Sequence, residues 1–131
     1  MNHDKHIPGA KKPTSLKEIL QEMHTTGKFQ VSVLTSAVEG LPIATFPADY
    51  DSDLTAVIVA LLQRVSNDAR GGLKMAEVDE LTIRDRDHTR LVCRYLVIGR
   101  ERLILAAIVP PGRPYRRVTN WAVRQIEQLL A

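Results

Sequence analysis

A chain of 131 residues with 44% apolar and 25% charged side chains has the size and balance of one soluble globular domain, too short for two. The formal charge of +3 does not mark a nucleic-acid binder: Lys5, Lys11 and Lys12 outweigh Asp4 within residues 1–14, leaving 15 basic against 14 acidic residues in the body. Two Phe, three Tyr and one Trp are too few to stack bases, and a single cysteine excludes an intramolecular disulfide.

Residues 1–14 are polar, with Pro8, Gly9 and Pro13 and almost nothing apolar, and are expected to be a disordered basic tail. Ser15 and Glu18 form a capping box for a short amphipathic helix that carries Leu16, Ile19, Leu20 and Met23 and stops at Gly27. Phe29, Val31 and Val33 then alternate with Gln30 and Ser32, as in a half-buried strand. Glu39-Gly40-Leu41-Pro42 reads as a turn into a second strand, Ile43 to Phe46, and Pro42 places that strand at an edge or at its own start. Asp49, Asp51, Ser52 and Asp53 suit the N-terminus of a helix over Asp53–Arg70 that Gly71-Gly72 would end.

Three strands follow. Val78 to Arg84 leads through Asp85-Arg86-Asp87-His88 into Thr89 to Val97, and Gly99-Arg100 reverses the chain. Leu103 to Val109 is apolar throughout, which fits a central strand covered on both faces. After the stiff Pro110–Pro114 linker, a last helix carries Val118, Trp121, Ala122, Ile126, Leu129 and Leu130. The order α-β-β-α-β-β-β-α with hairpin-length turns predicts an α+β fold: a five-stranded, mainly antiparallel sheet with helices on its faces.

The middle helix has more apolar surface than one sheet can cover. Leu54, Val57, Ile58, Leu61, Val65 and Ala69 form one stripe, assigned here to the sheet. Ala56, Val59 and Ala60 fall elsewhere, with Leu62 at the boundary, and no charge appears between Asp53 and Arg64. That second surface, with the small Ala56 and Ala60 permitting close backbone approach, is expected to be a protein interface, helix against helix in a homodimer. The expected interface comprises Ala56, Val59, Ala60, Leu62, Gln63 and Ser66. A helix sandwiched inside one monomer's core is the competing arrangement.

Chemistry-bearing patterns are few. His3 and His6 lie in the tail and His24 and His88 stand apart, so no metal site is expected. Cys93 alternates with Leu91 and Tyr95 on what should be a core face. Arg70-Gly71-Gly72-Leu73-Lys74 follows a helix and lacks phosphate-loop spacing, and no serine sits in a nucleophile elbow. Arg113, Arg116, Arg117 and Arg124 read as a solvated face, with contact to an acidic group as the alternative. No catalytic residue and no cofactor is expected.

The element order from Ser15 to Ala131, and the words Val33-Leu34-Thr35-Ser36 and Glu39-Gly40-Leu41-Pro42-Ile43-Ala44, resemble the roadblock/dynein light chain family. The resemblance implies a roadblock-like domain over 15–131 of the profilin-like type, with the middle helix on one sheet face and the terminal helices on the other. It implies a homodimer that pairs middle helices and a sheet edge, here the strand around Leu81, Thr82 and Ile83. Bacterial members often partner a Ras-like small GTPase as activators or scaffolds, without inserting an arginine. Glu39, Gly40, Leu41 and Pro42 then have a structural role, with Gly40 supplying positive φ. The loop Phe46–Asp51 departs from the family pattern, and the tail has no family role.

The reading is a non-enzymatic, cytoplasmic, homodimeric regulator of a small GTPase, with no nucleic-acid partner and no integral membrane contact. A profilin-like or GAF-type module that senses a small ligand beneath its covering helix is the alternative, and a small hydrolase with a dispersed site a third.

Overall fold

The protein is seen here in a computed structural model that describes residues 12–131. Most of the expected tail, residues 1–11, lies outside the described residues. The elements are α1 (Leu16–Gly27), β1 (Val31–Ser36), β2 (Pro42–Phe46), α2 (Ser52–Gly72), β3 (Glu80–Arg84), β4 (Arg90–Ile98), β5 (Glu101–Val109) and α3 (Arg116–Leu130). The expected order and fold class hold. Five strands form one sheet in the order β2-β1-β5-β4-β3, every neighbouring pair antiparallel.

The position of β5 explains its composition. Leu103, Leu105, Ala107 and Val109 point into the larger cluster with Ile19, Leu20 and Met23 of α1 and Val118, Trp121, Ala122 and Ile126 of α3. Ile104 and Ala106 point the other way, to Val59 of α2, Cys93 and Ala37. A strand covered on both faces has no solvent side to make polar, so its alternation disappears. The outer strands are β2 and β3. Pro42 opens β2 on an edge, where a missing N–H is tolerated.

The helix ends partly depart from expectation. Ser15 caps α1, its Oγ accepting from the Glu18 amide at 3.2 Å. The Glu18 carboxylate reaches back to Thr14 instead of Ser15, accepting from the Thr14 hydroxyl at 2.7 Å and its amide at 3.4 Å. Those bonds hold the Glu18 carboxyl below its usual range. The left-handed C-cap is Lys28 (φ 60°), not Gly27. Gly27 is small for another reason: a Cβ there would stand 2.9 Å from the Phe29 ring. Helix α2 also runs through Gly71 and Gly72 and closes with the Leu73 amide on Ala69, the positive φ falling at Lys74.

Candidate protein interface

The β1–β2 turn is built as its residues suggest. The Ser36 carbonyl accepts from the Gly40 amide at 2.9 Å, and the Leu41 carbonyl accepts from both the Ser36 amide (3.0 Å) and the Thr35 hydroxyl (2.8 Å). The Glu39 amide donates to Ser36 Oγ at 3.3 Å, and Pro42 pairs with Thr35 across a register shift. Gly40 has φ +69°, and a Cβ there would meet both the Ala56 carbonyl oxygen and Ala60 Cβ at 3.1 Å. Backbone conformation and space therefore demand glycine independently. Gly40→Ala should cost about 2 kcal/mol, from left-handed strain plus crowding, seen as a lower urea midpoint with an unchanged slope.

The same contact fixes which way α2 faces, and it reverses the assignment made from the sequence. Ala56 and Val59 are buried at 1% and 0% exposure, while Leu54, Val57, Ile58, Leu61 and Val65 are between 40% and 62% exposed. Ala60, Leu62 and Gln63 are half-buried and Ser66 is buried, all on the side turned to the sheet. Ala56 and Ala60 do admit a backbone at close range, but it is this chain's own Gly40 turn. Of the α2 residues expected to meet a partner, Ala56, Val59 and Ser66 are thus buried and Ala60, Leu62 and Gln63 half-buried within the monomer, whereas those assigned to the sheet are exposed apart from the half-buried Ala69.

The physical reason lies in the floor beneath the helix. Ala37, Cys93 and Ala106 are short, so the sheet accepts a close-lying helix face of small side chains in preference to a leucine stripe. Polar members of that face find partners: the Thr55 hydroxyl donates to Tyr50 Oη at 3.0 Å, and Ser66 Oγ lies 2.7 Å from Tyr95 Oη. Ser66 resembles a solvent-facing residue in the sequence because its partner Tyr95 is distant in the chain. The close approach required by Gly40 was the available clue.

Two features bear on an interface. One is the stripe Leu54, Val57, Ile58, Leu61 and Val65, an apolar face along the outside of α2. The other is β3, which pairs only with β4. Leu81 and Ile83 oppose Cys93 and Leu91 and so share the α2 face, whereas Thr82, opposite Val92, faces the terminal helices. Leu81 is half-buried against the smaller cluster, Ile83 is 49% exposed and Thr82 is exposed.

The remaining reactive groups are occupied structurally. Burial pushes the Cys93 thiol up to about 12, so it stays protonated at neutral pH. His24 Nδ1 lies 2.9 Å from the Phe29 carbonyl at the end of α1, a bond with a local structural role. Arg90 and Arg116 lie 5.5 and 5.7 Å from the Tyr115 ring, and Arg90 also donates to the Pro110 and Arg113 carbonyls. Among the described residues no group of His, Cys, Asp or Glu is placed to hold a metal ion, and no helix is long and apolar enough to cross a membrane.

A five-stranded antiparallel sheet with one long helix on one face and two helices on the other is the roadblock type of profilin-like α+β fold, and this chain has it. Among solved structures the chain is similar to MglB-type proteins. Myxococcus xanthus MglB is similar over 91% of this chain and 97% of its own, at TM-score 0.75 and 13% identity. An MglB described as having a tetrameric arrangement is similar over 86% and 83%, at TM-score 0.68 and 19% identity. A roadblock/LC7 domain from Streptomyces avermitilis covers 92% of each chain at TM-score 0.54 and 16% identity. No family sequence model matches the chain, and neither does any curated protein.

Proposed function

We propose that this chain is a cytoplasmic, non-enzymatic homodimer of the roadblock type that binds a Ras-like small GTPase and acts on it as an activator or scaffold. The observation that carries the dimer is the exposed apolar stripe along α2, in a molecule whose sheet also has a free edge at β3. A five-residue apolar stripe is costly to leave in water, and an unpaired edge offers a ready row of backbone donors and acceptors. The tetrameric arrangement described for an MglB agrees with self-association of this fold.

The sequence of β3 supports self-pairing. Glu80-Leu81-Thr82-Ile83-Arg84 is self-complementary about Thr82. An antiparallel pair with its two-fold axis at Thr82 sets Glu80 opposite Arg84 of the partner subunit and Leu81 opposite Ile83 of the partner subunit. The Glu80–Arg84 pair then occurs twice by symmetry. Arg84→Glu should weaken the dimer roughly tenfold or more, and Glu80→Arg combined with Arg84→Glu should restore it, read by sedimentation at several concentrations. A dimer indifferent to both changes would remove this register.

The GTPase partner follows from the roadblock resemblance of Glu39–Ala44 and from the fold shared with MglB. Any effect on hydrolysis would come from reshaping the partner's switch segments, so no residue here is assigned a catalytic role. The deciding experiment titrates the source organism's Ras-like GTPases, loaded with GDP or a non-hydrolysable GTP analogue, into this protein. Binding that depends on the nucleotide supports the regulator, and a turnover assay then separates activator from scaffold. Absence of binding in both states, with the chain dimeric, would remove the GTPase and leave the dimer.

A further inference from the structure

The start of α3 carries more positive charge than its surroundings neutralise. Arg113 ends the linker, Arg116 and Arg117 open the helix, and all three are exposed. Arg90 of β4, half-buried, reaches the same place, its Nη2 donating to the Pro110 and Arg113 carbonyls at 2.9 and 2.6 Å. With Arg116 and Arg117 it lines one open depression beside Pro114, Tyr115 and Val118. Among the described residues none of these four arginines makes an ion pair, and the carboxylate at hand, Glu80, accepts from the Tyr115 hydroxyl at 2.7 Å. The first acidic residue along α3 is Glu127, and no side-chain cap or first-turn carboxylate offsets the helix dipole. Cations in that position repel one another and oppose the dipole, so the fold carries an uncompensated cost here. Negative charge lies elsewhere: Asp51 and Asp53 stand at the start of α2, across the sheet.

We propose that this patch is a peripheral docking surface for an anionic phospholipid bilayer, Arg113, Arg116 and Arg117 meeting the headgroups and Arg90 adding to the local potential. What the patch lacks selects a lipid surface over other anions. Among the described residues no large exposed apolar side chain belongs to it, whereas a protein interface is centred on such anchors. Its single aromatic ring, Tyr115, already has Arg90 and Arg116 against it at 5.5 and 5.7 Å, which leaves no platform for a nucleic-acid base. A headgroup layer needs neither. It needs exposed, unpaired cations grouped together, each worth about fivefold in partitioning onto an anionic membrane. The patch is complete within one chain and depends on neither the dimer nor the GTPase.

The test is cosedimentation of the full chain with vesicles of phosphatidylcholine, with and without about 30% phosphatidylserine. Saturable binding is expected only where phosphatidylserine is present, weakening as salt is raised. Arg116→Glu combined with Arg117→Glu should lower the partition coefficient at least about 20-fold. Glutamates suit the first turn of a helix, so that loss would not reflect unfolding. Lys74→Glu combined with Arg100→Glu makes the same change in net charge on two exposed residues, Arg100 lying in the β4–β5 turn at the other end of the sheet from Arg90. This control should alter binding by less than about threefold, since its cations stand away from the bilayer. The proposal is overturned if phosphatidylserine vesicles retain no more protein than phosphatidylcholine ones, or if the two double variants lose binding alike. It is also overturned if a DNA duplex at equal phosphate concentration displaces the protein from the vesicles, which would transfer the patch to nucleic acid.

Discussion

Val59→Lys is expected to unfold the monomer. Val59 has no exposed surface and packs between α2 and the sheet against Cys93, Ile104 and Ala106. An ammonium placed there would be desolvated, and among the described residues no Asp or Glu is buried to pair with it. Together with the lost packing this should cost more than about 3 kcal/mol, a large share of a small domain's stability. Loss of the cooperative urea transition would show it. A folded Val59→Lys monomer that has merely dissociated would instead mean that this face of α2 is turned outward.

The opposite result is expected one helical face away. Leu61→Glu falls on a residue 52% exposed in the monomer, beside Val57, Ile58 and Val65. Glutamate is a good helix former and the site is open, so stability of the isolated chain should change by no more than about 0.5 kcal/mol. If the stripe packs against its copy, the change removes buried leucine and brings two carboxylates near the two-fold axis, raising the dissociation constant about 100-fold. Light scattering should then report 14.7 kDa in place of twice that mass. An unaltered dimer would place the interface elsewhere. The two variants together separate core from interface, because each predicts what the other excludes.

That contrast also shows where the sequence was legible. Elements and their order could be read because they rest on local signals: the Ser15 cap, the period-two alternation around Val31, the Gly40 turn and the unbroken apolar run of β5. Boundaries shifted where the local signal was shared. Glycines at 71 and 72 look like a stop but are tolerated in α2, since a helix propagates at modest cost through glycine when its flanks are held. Arg70 at that end is tied to Glu77 across the following loop, a contact the sequence does not display.

The sequence by itself determined that α2 has two apolar faces, that the strand from Leu103 to Val109 is central, that Pro42 belongs at an edge or strand start, and that Gly40 needs a left-handed backbone. Each follows from periodicity or from the steric limits of one residue, and neighbours along the chain suffice to define them. Only the tertiary structure decided which face of α2 meets the sheet. Helical period gives the angle between two faces but not the shape of the surface opposite. Here that surface is set by Ala37, Cys93 and Ala106, and by the Gly40 turn pressing on Ala56 and Ala60. Close packing favours the face whose small side chains let the helix lie against the sheet and the Gly40 turn, even when the other is more hydrophobic, and so the larger side chains are left outside, where a partner can cover them.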